Sequence, residues 1–143
     1  THLGSEVPDF IVKRKDGLDA YQLAVVVDDA WQGISHIVRG SDLMDSTPRQ
    51  IFLQQLLGHS IPIYSHIPVI TDASGHKFSK QNHAPALNSV NATANLRAAL
   101  RFLRQDEPPT ALQGTAQILD FAIHHWAPAK IPGLLSVPST HSA

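Results

Sequence analysis

The sequence predicts an α/β fold. Three observations carry that reading: β-branched, apolar runs at residues 34–38 and 64–70, a capped helix between them, and turn residues that punctuate each run. Strand, helix and strand at this spacing make a right-handed βαβ unit with parallel strands. A helical portion follows. The expected division is residues 1–83 as the α/β portion and 84–143 as a short helical portion with an irregular tail.

The elements follow in chain order. Residues 1–8 read as a connecting loop, and because Thr1 rather than Met stands first, a missing upstream portion is expected. Residues 9–12 are extended and run into Asp16-Gly17, a short-range hairpin signal. The return, residues 21–27, is rich in β-branched residues yet flows into Asp28-Asp29-Ala30-Trp31, so strand and helix both remain open. Residues 34–38 form a strand closed by Arg39-Gly40. Ser46 or Thr47 caps the next helix, Pro48 suits its first turn and Gly58 its stop. Its apolar stripe is Ile51, Leu53, Leu56 and Leu57. Residues 64–70 read as one buried strand and residues 72–75 as a turn. Residues 81–91 are loop-like. A helix over 93–105 carries Leu96, Leu100 and Leu103 on one face and Arg97, Arg101 and Arg104 on another. Pro108-Pro109 interrupts, a second helix reaches about residue 126, and 127–143 reads as irregular.

Composition narrows the chemistry. With no cysteine there is neither a disulfide framework nor a thiolate metal site. Eleven basic and 12 acidic residues leave a formal charge of −1, so any surface for nucleic acid must be local. The longest apolar run, residues 23–27, is too short to span a bilayer, and no export signal is visible; the cytoplasm is the expected location. His66 and the pair His124-His125 lack metal-ligand spacing, and no metal ligands are expected in this chain.

Two places invite an anion. Gly75-His76-Lys77-Phe78-Ser79-Lys80 follows a strand, and its lysines offer mobile charge to phosphate oxygens. The plain structural alternative is a solvated basic turn. Arg39, at a strand's C-terminal end where ligands of open α/β sheets bind, suits a carboxylate by a bidentate pair. Its alternative is an ion pair with Asp28, Asp29 or Asp42, and Tyr21 is equally a packed aromatic. The arginine stripe reads as a solvated face or a nucleic-acid phosphate contact.

Together these pieces resemble a family. The run Asp9-Phe10-Ile11-Val12, Asp16-Gly17 and Tyr21-Gln22-Leu23-Ala24-Val25-Val26-Val27-Asp28-Asp29 is similar to the glutamyl-tRNA synthetase catalytic core. So are Gly33-Ile34-Ser35-His36-Ile37-Val38-Arg39-Gly40-Ser41-Asp42-Leu43, Thr47-Pro48-Arg49-Gln50 and His66-Ile67-Pro68. Lys77-Phe78-Ser79-Lys80 matches the Lys-Met-Ser-Lys signature of class I synthetases, with Phe78 in the apolar place. The loop extension Gln81-Asn82-His83-Ala84-Pro85-Ala86-Leu87, Val25 where ordinary members carry Asn, and the short helical ending resemble the glutamyl-Q branch.

The resemblance implies the second half of a class I synthetase Rossmann-type nucleotide-binding fold, with no anticodon-binding domain. It implies ATP-dependent activation of glutamate and its transfer to queuosine of tRNA(Asp), by a protein that is a monomer when complete. Tyr21 and Arg39 would hold glutamate. Lys80 and Lys77 would be catalytic, and Lys77, Phe78, Ser79, Lys80, Gln81, Val69 and Ile70 would meet ATP, which brings Mg2+. The family's His-Ile-Gly-His-like motif, a second glutamate-binding Arg and a Cys-rich zinc site are absent from this sequence, so zinc and a further half are expected outside it and the chain alone is expected to be inactive. The alternatives are an ordinary glutamyl-tRNA synthetase fragment and a non-catalytic remnant that binds tRNA or protein.

Overall fold

The computed structural model describes residues 9–72, 74–78 and 87–139. Backbone contacts divide the chain into two units, Thr1–Ile67 and Pro68–Ala143.

The first unit opens on a turn, not on paired strands. Arg14 N–H bonds Leu18 O at 2.7 Å, Ala20 N–H bonds Val12 O at 2.9 Å, and Gly17 takes φ 86°. Only the pair Lys13 and Asp19 bridges across it. Helix α1, Tyr21–Trp31, then resolves the strand-or-helix question. Three valines cost a helix only a few tenths of a kcal/mol each. Burial of Val26, 1% exposed, offsets that cost. Gly33 at φ 69° ends the helix, with Gly33 N–H on Ala30 O and Ile34 N–H on Asp29 O.

Strand β1, His36–Gly40, leads into a 3-10 turn, Ser41–Ser46, and directly into helix α2, Thr47–Leu57. Strand β2, Ile63–Ile67, returns parallel to β1, with His36 opposite Ile63 and Gly40 opposite Ile67. The parallel strand–helix–strand unit read from the sequence is therefore present, but α2 faces inward differently. Its buried residues are Gln50, Leu53 and Gln54, whereas Leu56 and Leu57 are 66% and 46% exposed. Nor does either hydroxyl cap the helix. The preceding 3-10 turn already supplies acceptors, Thr47 N–H bonding Met44 O, so Ser46 and Thr47 side chains are left for other partners. Gly58 stops α2 at φ 69° as expected.

The expected single strand over 64–70 is two. Pro68 lacks the N–H needed to continue a ladder, and the chain resumes as β3, Val69–Thr71. In the second unit β3 pairs in parallel with β4, Ser136–Pro138, a strand where an irregular tail was expected. Helices α3, Ala92–Phe102, and α4, Thr115–His124, pack through Leu100 and fully buried Ile118. Helix α3 ends earlier than its pattern suggests. Arg104 adopts a left-handed φ of 54°, and Gln105 N–H closes back on Leu100 O at 2.8 Å. That conformation costs a non-glycine residue about 1 kcal/mol. It is held by buried Gln105, whose amide donates to Leu103 O and Ala127 O and accepts from Ala127 N–H.

The arginine stripe dissolves accordingly. Arg97 donates to the carbonyls of Pro108, Pro109 and Leu112, Arg101 pairs with Glu107 at 3.3 Å, and Arg104 lies beyond the helix. Arg97 is thus a clamp on the loop between α3 and α4. Replacing it by Ala should destabilise the second unit by about 2 kcal/mol, the loss of three charge-assisted bonds to carbonyls that are partly exposed. Amide exchange should quicken at residues 110–112, and unaltered exchange there would contradict the clamp.

Candidate substrate-carboxylate site

Arg39 is the centre of the first unit's polar chemistry. It sits near the C-terminal end of β1, with β2 on one side and α2 crossing nearby. Its Nε–H donates to His66 Nε2 at 3.3 Å, Nη1 to Gln50 Oε1 at 2.7 Å and Nη2 to Thr47 Oγ1 at 2.7 Å. The guanidinium carbon lies 5.1 Å from the centre of the Tyr64 ring, so an aromatic face supports the cation. All of these partners are uncharged. A guanidinium has five N–H donors, and the three bonds leave one on each terminal nitrogen for a further acceptor.

Each partner is itself held. Thr47 Oγ1 lies 3.1 Å from His66 Nε2, closing a three-membered ring of contacts with Arg39. A nitrogen that accepts from Arg39 carries no proton, so the His66 proton sits on Nδ1. Burial lowers the His66 pKa and the Arg39 charge lowers it further, which keeps the ring neutral. Gln54 Nε2 donates to the Tyr64 hydroxyl at 2.9 Å. Burial raises the Tyr64 pKa most; the Gln54 bond and Arg39 oppose it, while Asp29 and Tyr21 add to it. Tyr21 stands at the start of α1 and is 52% exposed. Gln50 Nε2 donates to Gln22 Oε1 at 3.0 Å, and Gln22 Nε2 to Ser46 Oγ at 3.0 Å.

The remaining sequence candidates lie in the second unit. Asp72 builds the turn before the lysine loop: its Oδ1 accepts from the N–H groups of Ser74 and His76, each at 2.9 Å. Gly75 takes φ 82°, and the chain returns so that Lys77 bridges Thr71 and Phe78 N–H bonds Ile70 O at 3.1 Å. The base of the loop is thus a fixed hairpin presenting exposed Lys77 and Phe78. Val69 N–H is bonded to Leu135 O, and Ile70 O to Phe78, so two of the backbone groups expected to meet adenine already have partners. Ser79, Lys80 and Gln81 lie outside the described residues. Gln22, Gln50, Thr47, His66 and Tyr64 were not singled out as site residues from the sequence; the signal available for the amides was Gln50 and Gln54 flanking Leu53 at helical spacing. Among the described residues no group of three or more His, Asp or Glu gathers that could hold a metal ion, and no helix is long and apolar enough to cross a membrane.

The fold and the sequence both have relatives. Glutamyl-Q tRNA(Asp) synthetases of Pseudomonas fluorescens, Pseudomonas putida and Pseudomonas aeruginosa are 56%, 53% and 51% identical to this chain over 96% of its length. They are matched over 46%, 47% and 47% of their own, so the chain spans about half the length of these curated relatives. A glutamate-tRNA synthetase structure from Elizabethkingia anophelis superposes with a TM-score of 0.64 at 19% identity, covering 92% of this chain and 30% of that one. A glutamate tRNA ligase from Elizabethkingia meningosepticum, solved with its amino acid, gives 0.62 at 20% identity, covering 89% and 29%. These structures share the α/β fold. Residues 2–105 match the family described as tRNA synthetases class I (E and Q), catalytic domain, and the chain belongs to that family.

Proposed function

We propose that the protein to which this chain belongs activates glutamate with ATP and transfers it to queuosine of tRNA(Asp). The observation that carries the reading is Arg39: a cation fixed by neutral partners, with one N–H on each terminal nitrogen left by those bonds. An amino acid side-chain carboxylate suits that pair, with Tyr21 supplying a hydroxyl and a wall. The relatives' names supply the acceptor, tRNA(Asp).

In this reading the glutamate α-carboxylate oxygen attacks the α-phosphorus of ATP and pyrophosphate leaves. The acceptor hydroxyl then displaces AMP. The nucleophile needs no general base in the first step, so positioning and electrostatics do the catalysis. Lys80, with Lys77, Ser79, Phe78 and Gln81, meets the nucleotide from the loop, and backbone of Val69 and Ile70 meets the adenine. Mg2+ arrives with ATP and offsets phosphate charge. Zinc, in this reading, belongs to the part of the longer relatives that this chain does not span.

Three measurements on the full-length protein test it. Lys80→Ala should lower glutamate-dependent pyrophosphate exchange about a hundredfold or more; full exchange would remove Lys80 from the reaction. Radiolabelled glutamate should appear on queuosine-bearing tRNA(Asp), whereas label on tRNA(Glu) would assign the protein to the ordinary synthetases. The third concerns pH. Protonated His66 would present an N–H to Arg39 and repel it, so the glutamate KM should rise as pH falls below the ordinary histidine range. His66→Gln keeps an acceptor that does not titrate and should flatten that rise. An identical rise in the variant would clear His66 of the effect.

A further inference from the structure

We propose that Gln50 and Gln22 are positioning residues, a directional amide relay that orients Arg39 for its carboxylate and ties it to the helix carrying Tyr21. The inference rests on the glutamate reading of Arg39 given above. Gln50 is 1% exposed, and its two amide atoms have different obligations. Arg39 has only donors, so Gln50 must turn its oxygen to Nη1, at 2.7 Å. Its nitrogen is then committed to Gln22 Oε1, at 3.0 Å, and Gln22's nitrogen in turn to Ser46 Oγ, at 3.0 Å. Every donor runs away from the guanidinium. Reversing Gln50 would set donor against donor at Arg39 and acceptor against acceptor at Gln22; reversing Gln22 would set donor against donor at Gln50, although the Ser46 hydroxyl could serve either end of that amide. The charge at Arg39 thereby selects one orientation of both glutamines.

The relay has a positional consequence. Gln22 follows Tyr21 directly at the start of α1, Gln50 lies on α2 and Arg39 on β1. The two side chains proposed to hold glutamate sit on different elements, and these hydrogen bonds join the elements beside the site. Thr47 and His66 engage Nη2 and Nε–H, so Gln50 is the partner that fixes Nη1.

The test compares Gln50→Met, Gln22→Met, their double variant and Arg39→Ala in the full-length protein, by pyrophosphate exchange with glutamate and ATP varied separately. Each methionine should raise the glutamate KM about tenfold while the ATP KM stays within about twofold. The double variant should be little worse than either single one, because cutting the chain once releases it. Gln22 is only half-buried, so its variant reports even where Gln50→Met fails to fold. Parallel rises in both KM values, or additive effects, would reduce the amides to general structural support and overturn the relay. If Arg39→Ala raises the glutamate KM and neither methionine does, the relay alone falls. If Arg39→Ala leaves that KM unchanged, the glutamate reading falls and the relay with it.

Discussion

A cation that can only donate sets the direction of every polar contact around it, and in the first unit that cation is Arg39. Its bonds reach α2 through Gln50 and Thr47 and β2 through His66, while Gln50 extends the chain to Gln22 on α1. A buried amide left unpaired costs about 1–3 kcal/mol. These residues therefore fold in concert: a shift in the register of β1 against β2 would move Arg39 from His66 opposite it and leave several buried groups without partners.

The apolar core supplies burial rather than direction. Among the described residues the buried hydrophobics are Val26 and Leu53 in the first unit and Leu100 and Ile118 in the second. Large side chains stand open instead, Trp31 at 86%, Val38 at 67% and Ile63 at 60%. Hydrophobic burial is non-directional and tolerates sliding, whereas hydrogen bonds at 2.7–3.0 Å do not. Around Arg39, orientation is specified by side-chain amides. In the second unit a similar device recurs, Gln105 bonding Ala127 at both its N–H and its carbonyl.

What was legible in the sequence had local physical causes. Gly58 and Pro48 bounded α2 because their effects on backbone angle act on the spot, and the parallel strands followed from the spacing around that helix. The family resemblance pointed to Arg39 and Tyr21, and the structure puts neutral partners around the first and leaves the second exposed at the start of α1. What was hidden is non-local. Ser46 and Thr47 look like caps because hydroxyls before a helix commonly cap, yet their partners come from residues 24 and 8 positions away. Leu56 and Leu57 look inward-facing, but the inward face carries two glutamines that no hydrophobic pattern can mark. Arg104 in a left-handed turn ends α3 where glycine would have announced it, and β4 pairs with β3, a partner far away in sequence.

The neutrality of the Arg39 surroundings bears directly on what the site can bind. An aspartate or glutamate at about 4 Å would attract it by about 4 kcal/mol at an effective dielectric of 20, and a substrate carboxylate would have to displace that partner. Neutral acceptors hold the same geometry at about 1 kcal/mol net each without cancelling the charge. The cost is a partly buried cation, reduced here by the Tyr64 face and by three dipoles turned toward it. His66 is the vulnerable member, since protonation would set a second cation against Arg39; burial and the Arg39 charge both oppose it. The arrangement therefore favours an anion that comes from solution over one supplied by these immediate neighbours. A carboxylate reaching Arg39 would meet a charge that Gln50, Thr47 and His66 have left intact.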